Sequence, residues 1–105
     1  MSDPIVIAPE GELDNARLGE FRAALYDAAR QAERLLVVDL SHVESIDSSG
    51  LGALVELDHR LRRAKRQLAV VAPGGTAAAL ILNLSGLRNR LSTYETRQAA
   101  TEHTS

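Results

Sequence analysis

The sequence predicts a single small α/β domain, a mainly parallel (mixed) β-sheet of about four strands with helices packed against it. Three observations lead there. Short, apolar, partly β-branched runs alternate with longer segments whose apolar residues recur at three- and four-residue spacing, so strands are joined through helices by right-handed crossovers. The runs Leu35-Leu36-Val37-Val38-Asp39-Leu40 and Leu68-Ala69-Val70-Val71-Ala72 are apolar without strict alternation, as expected of strands covered on both faces. The length of 105 residues suits one core between two layers, so one domain is expected to span 1–105.

Taken in order, Ile5-Val6-Ile7-Ala8 reads as the first strand and Pro9-Glu10-Gly11-Glu12 as the turn that ends it. Asp14 or Asn15 can cap the helix that follows. Its apolar stripe is Leu18, Phe21, Leu25, Ala28 and Ala32, with charged residues between them. After the strand at 35–40 comes a second helix from about Ser49 to Lys65, in which Leu51, Leu54, Val55 and Leu61 share a face. Glu56 and Asp58 each stand four residues before an arginine, the favourable order, and a basic turn suits the negative end of the helix. The strand at 68–72 is broken by Pro73-Gly74-Gly75, and Thr76 caps a third helix over Ala77 to Leu84. Ser85-Gly86-Leu87 reads as a glycine helix stop, and Leu91-Ser92-Thr93-Tyr94 as a short closing strand. The polar tail, 96–105, is expected to fray and to keep at most one helical turn around Arg97 to Ala100.

Composition narrows the chemistry. With 45% hydrophobic and 25% charged residues the chain is ordinary globular material, and at 3% aromatic its core must rest on Leu, Val, Ile and Ala. It has no cysteine, which excludes disulfide and thiol chemistry, and three scattered histidines make a poor zinc set, so no metal is expected. Apolar runs are far shorter than a bilayer span, and Met1-Ser2-Asp3-Pro4 lacks a signal-peptide pattern; a cytoplasmic protein without membrane contact is expected. A formal net charge of −2 gives no global attraction to nucleic acid.

The stretch Ile46-Asp47-Ser48-Ser49-Gly50-Leu51-Gly52 joins the most strand-like part of the chain to its clearest helix start. Asp47, Ser48 and Ser49 offer oxygens to the unpaired amides of that start, and Gly50 and Gly52 allow close approach by another backbone or a partner. The plain reading is a helix cap. The sharper one is a hydroxyl exposed on a rigid platform, where an added phosphate meets the positive end of the helix dipole.

The combination of Asp39-Leu40-Ser41-His42-Val43 with Ile46-Asp47-Ser48-Ser49-Gly50-Leu51-Gly52 strongly resembles the STAS domain of bacterial anti-sigma factor antagonists. Gly11-Glu12-Leu13-Asp14 and Leu84-Ser85-Gly86-Leu87 fit that family's order and spacing, so the resemblance runs from about Ile5 to Tyr94. It implies a transcription regulator that is not an enzyme and needs no cofactor, a switch that binds an anti-sigma factor serine kinase and so releases a sigma factor. It implies phosphorylation of the serine before the glycine, Ser49, which ends binding, and a serine phosphatase that removes the phosphate. Asp47, Ser48, Ser49, Gly50, Leu51 and Gly52 then form the partner-binding stretch. The alternative within the fold is an unphosphorylated scaffold, or a subunit of a transport or stress-sensing assembly. The pattern departs at both ends: a further N-terminal strand is missing, leaving a sheet edge that a second copy could cover as a homodimer, and the C-terminal helix is short or missing.

Other arrangements fit less well. A serine hydrolase needs a Gly-x-Ser-x-Gly elbow and a placed base, and His42 and His59 read as surface residues. Gly74-Gly75-Thr76 lacks phosphate-loop spacing and reads as a turn and cap. Arg60, Arg62, Arg63, Lys65 and Arg66 read as a solvated helix end rather than a site for RNA or an acidic protein. A phospho-aspartate receiver using Asp39 needs a lysine after a late strand, whereas Lys65, the single lysine, falls in the second helix.

Overall fold

Leucine- and valine-rich runs build the centre of the main sheet, and the amphipathic segments between them pack onto it. The structure is a computed structural model that describes residues 3–103. Along the chain lie β1 (Ile5–Ile7), β2 (Gly11–Leu13), a 3-10 turn (Asn15–Arg17), α1 (Leu18–Gln31), β3 (Leu35–Asp39), β4 (Val43–Ile46) and α2 (Ser48–Arg63). Then come β5 (Gln67–Val71), α3 (Ala77–Ser85), a 3-10 turn (Leu87–Asn89), β6 (Ser92–Tyr94) and α4 (Arg97–His103).

The main sheet runs β1-β3-β5-β6 with every pair parallel: Val6 stands opposite Val37, Val37 opposite Ala69, and Ala69 opposite Ser92. Side chains alternate across it as the pleat requires. Leu36, Val38, Leu68 and Val70 meet Phe21, Leu25 and Ala28 of α1 and Leu54, Leu57 and Leu61 of α2 in one core. Val37, Ala69 and Val71 face the other way, onto Ala100 of α4. The unbroken apolar character of β3 and β5 thus has its cause in cover on both faces.

Two expectations fail. Residues 11–12, read as part of a turn, belong to β2, which pairs in parallel with β4 as a separate two-stranded sheet, Leu13 opposite Ile46. These strands are too short to show a period, Gly11 has a left-handed φ of 79°, and the register slips between Gly11 and Glu12. The tail from 96 does not fray through the described residues. α4 forms because Ala100 is fully buried and the Arg97 guanidinium Nε donates to Asp39 Oδ2 at 2.7 Å. Residues 104 and 105 lie outside the described part.

Asp39, at 5% exposure, also accepts from the Ser41 amide and hydroxyl. Burial by itself would raise its carboxyl, but the Ser41 hydrogen bonds and the Arg97 guanidinium outweigh burial and hold it below the usual carboxylate range. A lowered folded-state value means that ionised Asp39 stabilises the fold above the unfolded carboxylate value, about pH 4, and that this contribution vanishes as pH falls through the lower folded value. Denaturant titrations should therefore show wild type more stable than Asp39→Asn at neutral pH, with the gap closing in acid below about pH 4. An unchanged gap would contradict the assignment.

α2 ends in a motif normally closed by glycine. The Lys65 amide donates to the Arg62 carbonyl and the Arg66 amide to the Leu61 carbonyl, with Lys65 at a left-handed φ of 60°. Lys65→Gly should raise stability by about 0.5–1 kcal/mol in chemical denaturation, because the left-handed conformation costs a residue with a Cβ about 1–2 kcal/mol.

Candidate functional site

The end of the small sheet fixes the start of α2. Where β2 and β4 finish side by side, the Asp47 amide donates to the Leu13 carbonyl at 3.2 Å. The Asp47 side chain then does two things. Its Oδ1 accepts from the Ser49 and Gly50 amides at 3.0 and 3.1 Å, capping α2, while Oδ2 accepts from the Asn15 amide at 3.0 Å, tying the loop after β2 to the same point. Asp14 caps the neighbouring 3-10 turn through the Arg17 amide. Two loops distant in sequence are thus locked into one corner.

Of the residues named from the sequence, Asp47, Ser48 and Gly52 are exposed and Ser49 is half-buried, whereas Gly50 is buried and Leu51 is 9% exposed. Gly50 serves close packing. A Cβ built there would stand 2.8 Å from Ile46 Cγ1 and 3.0 Å from the Leu13 carbonyl oxygen, so the residue lets α2 sit down on β2. Around Gly52 there is open space. Among the described residues neither the Ser48 nor the Ser49 hydroxyl has a hydrogen-bond partner, and no histidine bonds to either; His59 lies about 15 Å further along the helix. The serines do not cap. Asp47→Ala should accordingly lower stability by about 1–2 kcal/mol, whereas Ser48→Ala should stay within about 0.5 kcal/mol of wild type in the same denaturation assay.

Sequence reasoning missed Asn15 and Leu13 as supports of the corner, because both act through backbone groups that any residue carries. The other candidates resolve into structural roles. The Gly74 amide donates to Glu95 Oε2 at 2.6 Å, and Thr76 accepts from the Ala79 amide, so Gly74-Gly75-Thr76 is a turn and cap. Arg66 donates to the Ala29 and Ala32 carbonyls at 2.7 and 2.9 Å, closing the end of α1. Arg62 pairs with Asp58, and Arg60 with Glu56 and the face of Tyr26. Asp39 is buried in its bonds to Ser41 and Arg97, unlike an open phospho-acceptor.

Comparison with known proteins places this corner in context. A family profile for the STAS domain matches residues 2–100. The Thermotoga maritima protein TM1081 superposes with a TM-score of 0.83 at 26% identity, covering 99% of this chain and 89% of that one. An anti-sigma factor antagonist from Mycobacterium paratuberculosis gives a TM-score of 0.83 at 28% identity, covering 94% and 83%. A sulfate transporter family protein from Wolinella succinogenes shares the fold alone, at 15% identity, a TM-score of 0.75 and coverage of 96% and 84%. Among curated proteins no match is found. Within the described residues no helix is long and apolar enough to cross a membrane.

Proposed function

We propose that this chain, which belongs to the STAS domain family, works as an anti-sigma factor antagonist: it binds an anti-sigma factor serine kinase, releases a sigma factor, and is switched off when Ser49 is phosphorylated. One observation carries the reading. A serine hydroxyl without a hydrogen-bond partner among the described residues stands in the first turn of a helix whose position is fixed from both sides by Asp47. The cap does not depend on the serine, so its hydroxyl can be modified without unlocking the corner.

Chemically the corner can present a group but has nothing to activate one. Among the described residues no base bonds to Ser49, which suits a residue that is a substrate of another enzyme's active site rather than a nucleophile of its own. A kinase brings the base and the nucleotide, and a serine phosphatase removes the phosphate. The contact surface is then Asp47, Ser48, Ser49 and Gly52, with Gly50 and Leu51 acting from below by setting the height of the helix.

The serine pair provides the test. With the anti-sigma factor kinase of the same organism and ATP, Ser49→Ala should take up no phosphate and still bind the kinase, because alanine keeps the small neutral surface. Ser48→Ala should take up phosphate at a measurable rate. Wild-type uptake by Ser49→Ala would refute the assignment, and a wild-type protein that is never phosphorylated would favour a constitutive scaffold.

A further inference from the structure

The far end of α2, away from the Asp47 corner, is basic in a way that a solvated helix end does not explain. Arg60 and Arg62 are paired with Glu56 and Asp58, as such an end requires. Arg34, Arg63 and Lys65 meet no carboxylate among the described residues, and Arg66 bonds to the carbonyls of Ala29 and Ala32, so its charge stays uncompensated. Arg34 is not part of α2; it precedes β3. Lys65, the single lysine, stands at a left-handed φ of 60°, where glycine suits a helix stop better. Four uncompensated cations are thus gathered at one end of a chain whose net charge is −2. They border two open clefts that share Arg66. One, of about 400 Å³, is lined by Arg34, Lys65, Arg66 and Ser92, and the carboxylate within it, Asp58, is already held by Arg62. The other, of about 580 Å³, runs between α1 and α2 beside Arg63, with Ala29, Leu57 and Leu61 as its apolar floor.

We propose that this end docks an acidic segment of another protein, with carboxylates on Arg34, Lys65 and Arg66 and an apolar side chain in the groove beside Arg63. The cations lie on both sides of Arg66, a spread that suits a run of carboxylates better than one small anion. Asp27, Glu33 and Glu56 stand among the cations and would repel the backbone of a nucleic acid, whereas a peptide can carry its charges clear of them. None of the large apolar side chains exposed among the described residues, Val6, Leu80 and Leu84, borders these clefts, so a lipid surface finds no anchor here. Leu57 and Leu61 are each 1% exposed, so attraction between charges supplies most of the binding and salt weakens it. The 16 residues of α2 set this end about 24 Å from Asp47, well beyond the screening length of about 8 Å, so a phosphate on Ser49 leaves it unaffected and this docking does not depend on the Ser49 reading.

The test is fluorescence anisotropy of a labelled peptide repeating Glu-Glu-Leu, titrated with the full chain at low salt. Wild type should bind it, Lys65→Gly, Arg34→Glu and Arg63→Glu should each bind about three- to tenfold more weakly, and Ser49→Asp should match wild type. Lys65→Gly should lose affinity while gaining stability, which a purely structural lysine would not do. Physiological salt should weaken wild-type binding, and a peptide repeating Glu-Glu-Gly should bind less well. No binding at low salt, wild-type affinity in all three charge variants, equal affinity for the glycine peptide, or weakening by Ser49→Asp would each overturn the proposal. Tighter binding of a single-stranded RNA, of inorganic tripolyphosphate or of phosphatidylserine vesicles than of the peptide would overturn it too.

Discussion

Phosphorylated at Ser49, the protein is expected to bind its kinase partner about tenfold or more weakly while melting at nearly its unmodified temperature. Phosphate adds about −1.5 to −2 charges in the first turn of α2, where the helix dipole favours negative charge. Asp47 beside it is unfavourable, and the two effects oppose each other in the fold. In the complex they do not: the phosphate adds negative charge beside Asp47 and bulk where the partner closes. Ser49→Asp supplies one charge and a shorter reach, so its loss should be smaller than that of the phosphoprotein. Raising the salt should partly restore the Asp variant, because exposed charges are screened within about 8 Å at physiological ionic strength. Calorimetric titration of the three forms at two salt concentrations checks this, and equal affinities for all three would place Ser49 outside the interface.

The second large effect is on stability. Gly50→Val should cost about 3 kcal/mol, the upper end for an overfilled site. The first added carbon already meets Ile46 and, more seriously, the Leu13 carbonyl, which is backbone and cannot turn aside. Relief requires α2 to lift from β2, stretching the bond from the Asp47 amide to Leu13 and the bond from the Asn15 amide to Asp47. Partner affinity should fall with stability. In denaturant titration Gly52→Val, with open space around its position, should cost far less, about 1 kcal/mol or below. Similar losses at the two glycines would remove close packing as the reason for Gly50.

How legible the fold was depends on where each element keeps its information. β3, β5, α1, α2 and α3 carry it in their own composition: the unbroken apolar runs, the stripe from Phe21 to Ala28, the Thr76 cap and Gly86 after α3. β2 and β4 hold theirs in each other. Gly11-Glu12-Leu13 has no strand signature until Val43 to Ile46 is placed beside it by the α1–β3 crossover, and a search for local periods cannot see that. α4 is a similar case, since its seven mostly polar residues are held by Ala100 on the sheet and by a bond from Arg97 to a carboxylate 58 positions earlier. The site followed the same division. Asp47, Ser48, Ser49 and Gly50 stood out by residue type, but which of them caps is decided by side-chain direction: Asp47 reaches three amides, and the serine hydroxyls bond to none of the described residues.

The claim that a phosphate on Ser49 governs partner binding is tested most directly on protein taken from its own cells and separated into kinase-bound and unbound fractions. Peptide mass spectrometry should find unmodified Ser49 in the bound fraction and a single phosphate on Ser49 in much of the unbound fraction. Phosphate on Ser49 within the bound fraction, or bare Ser49 throughout both, would contradict it.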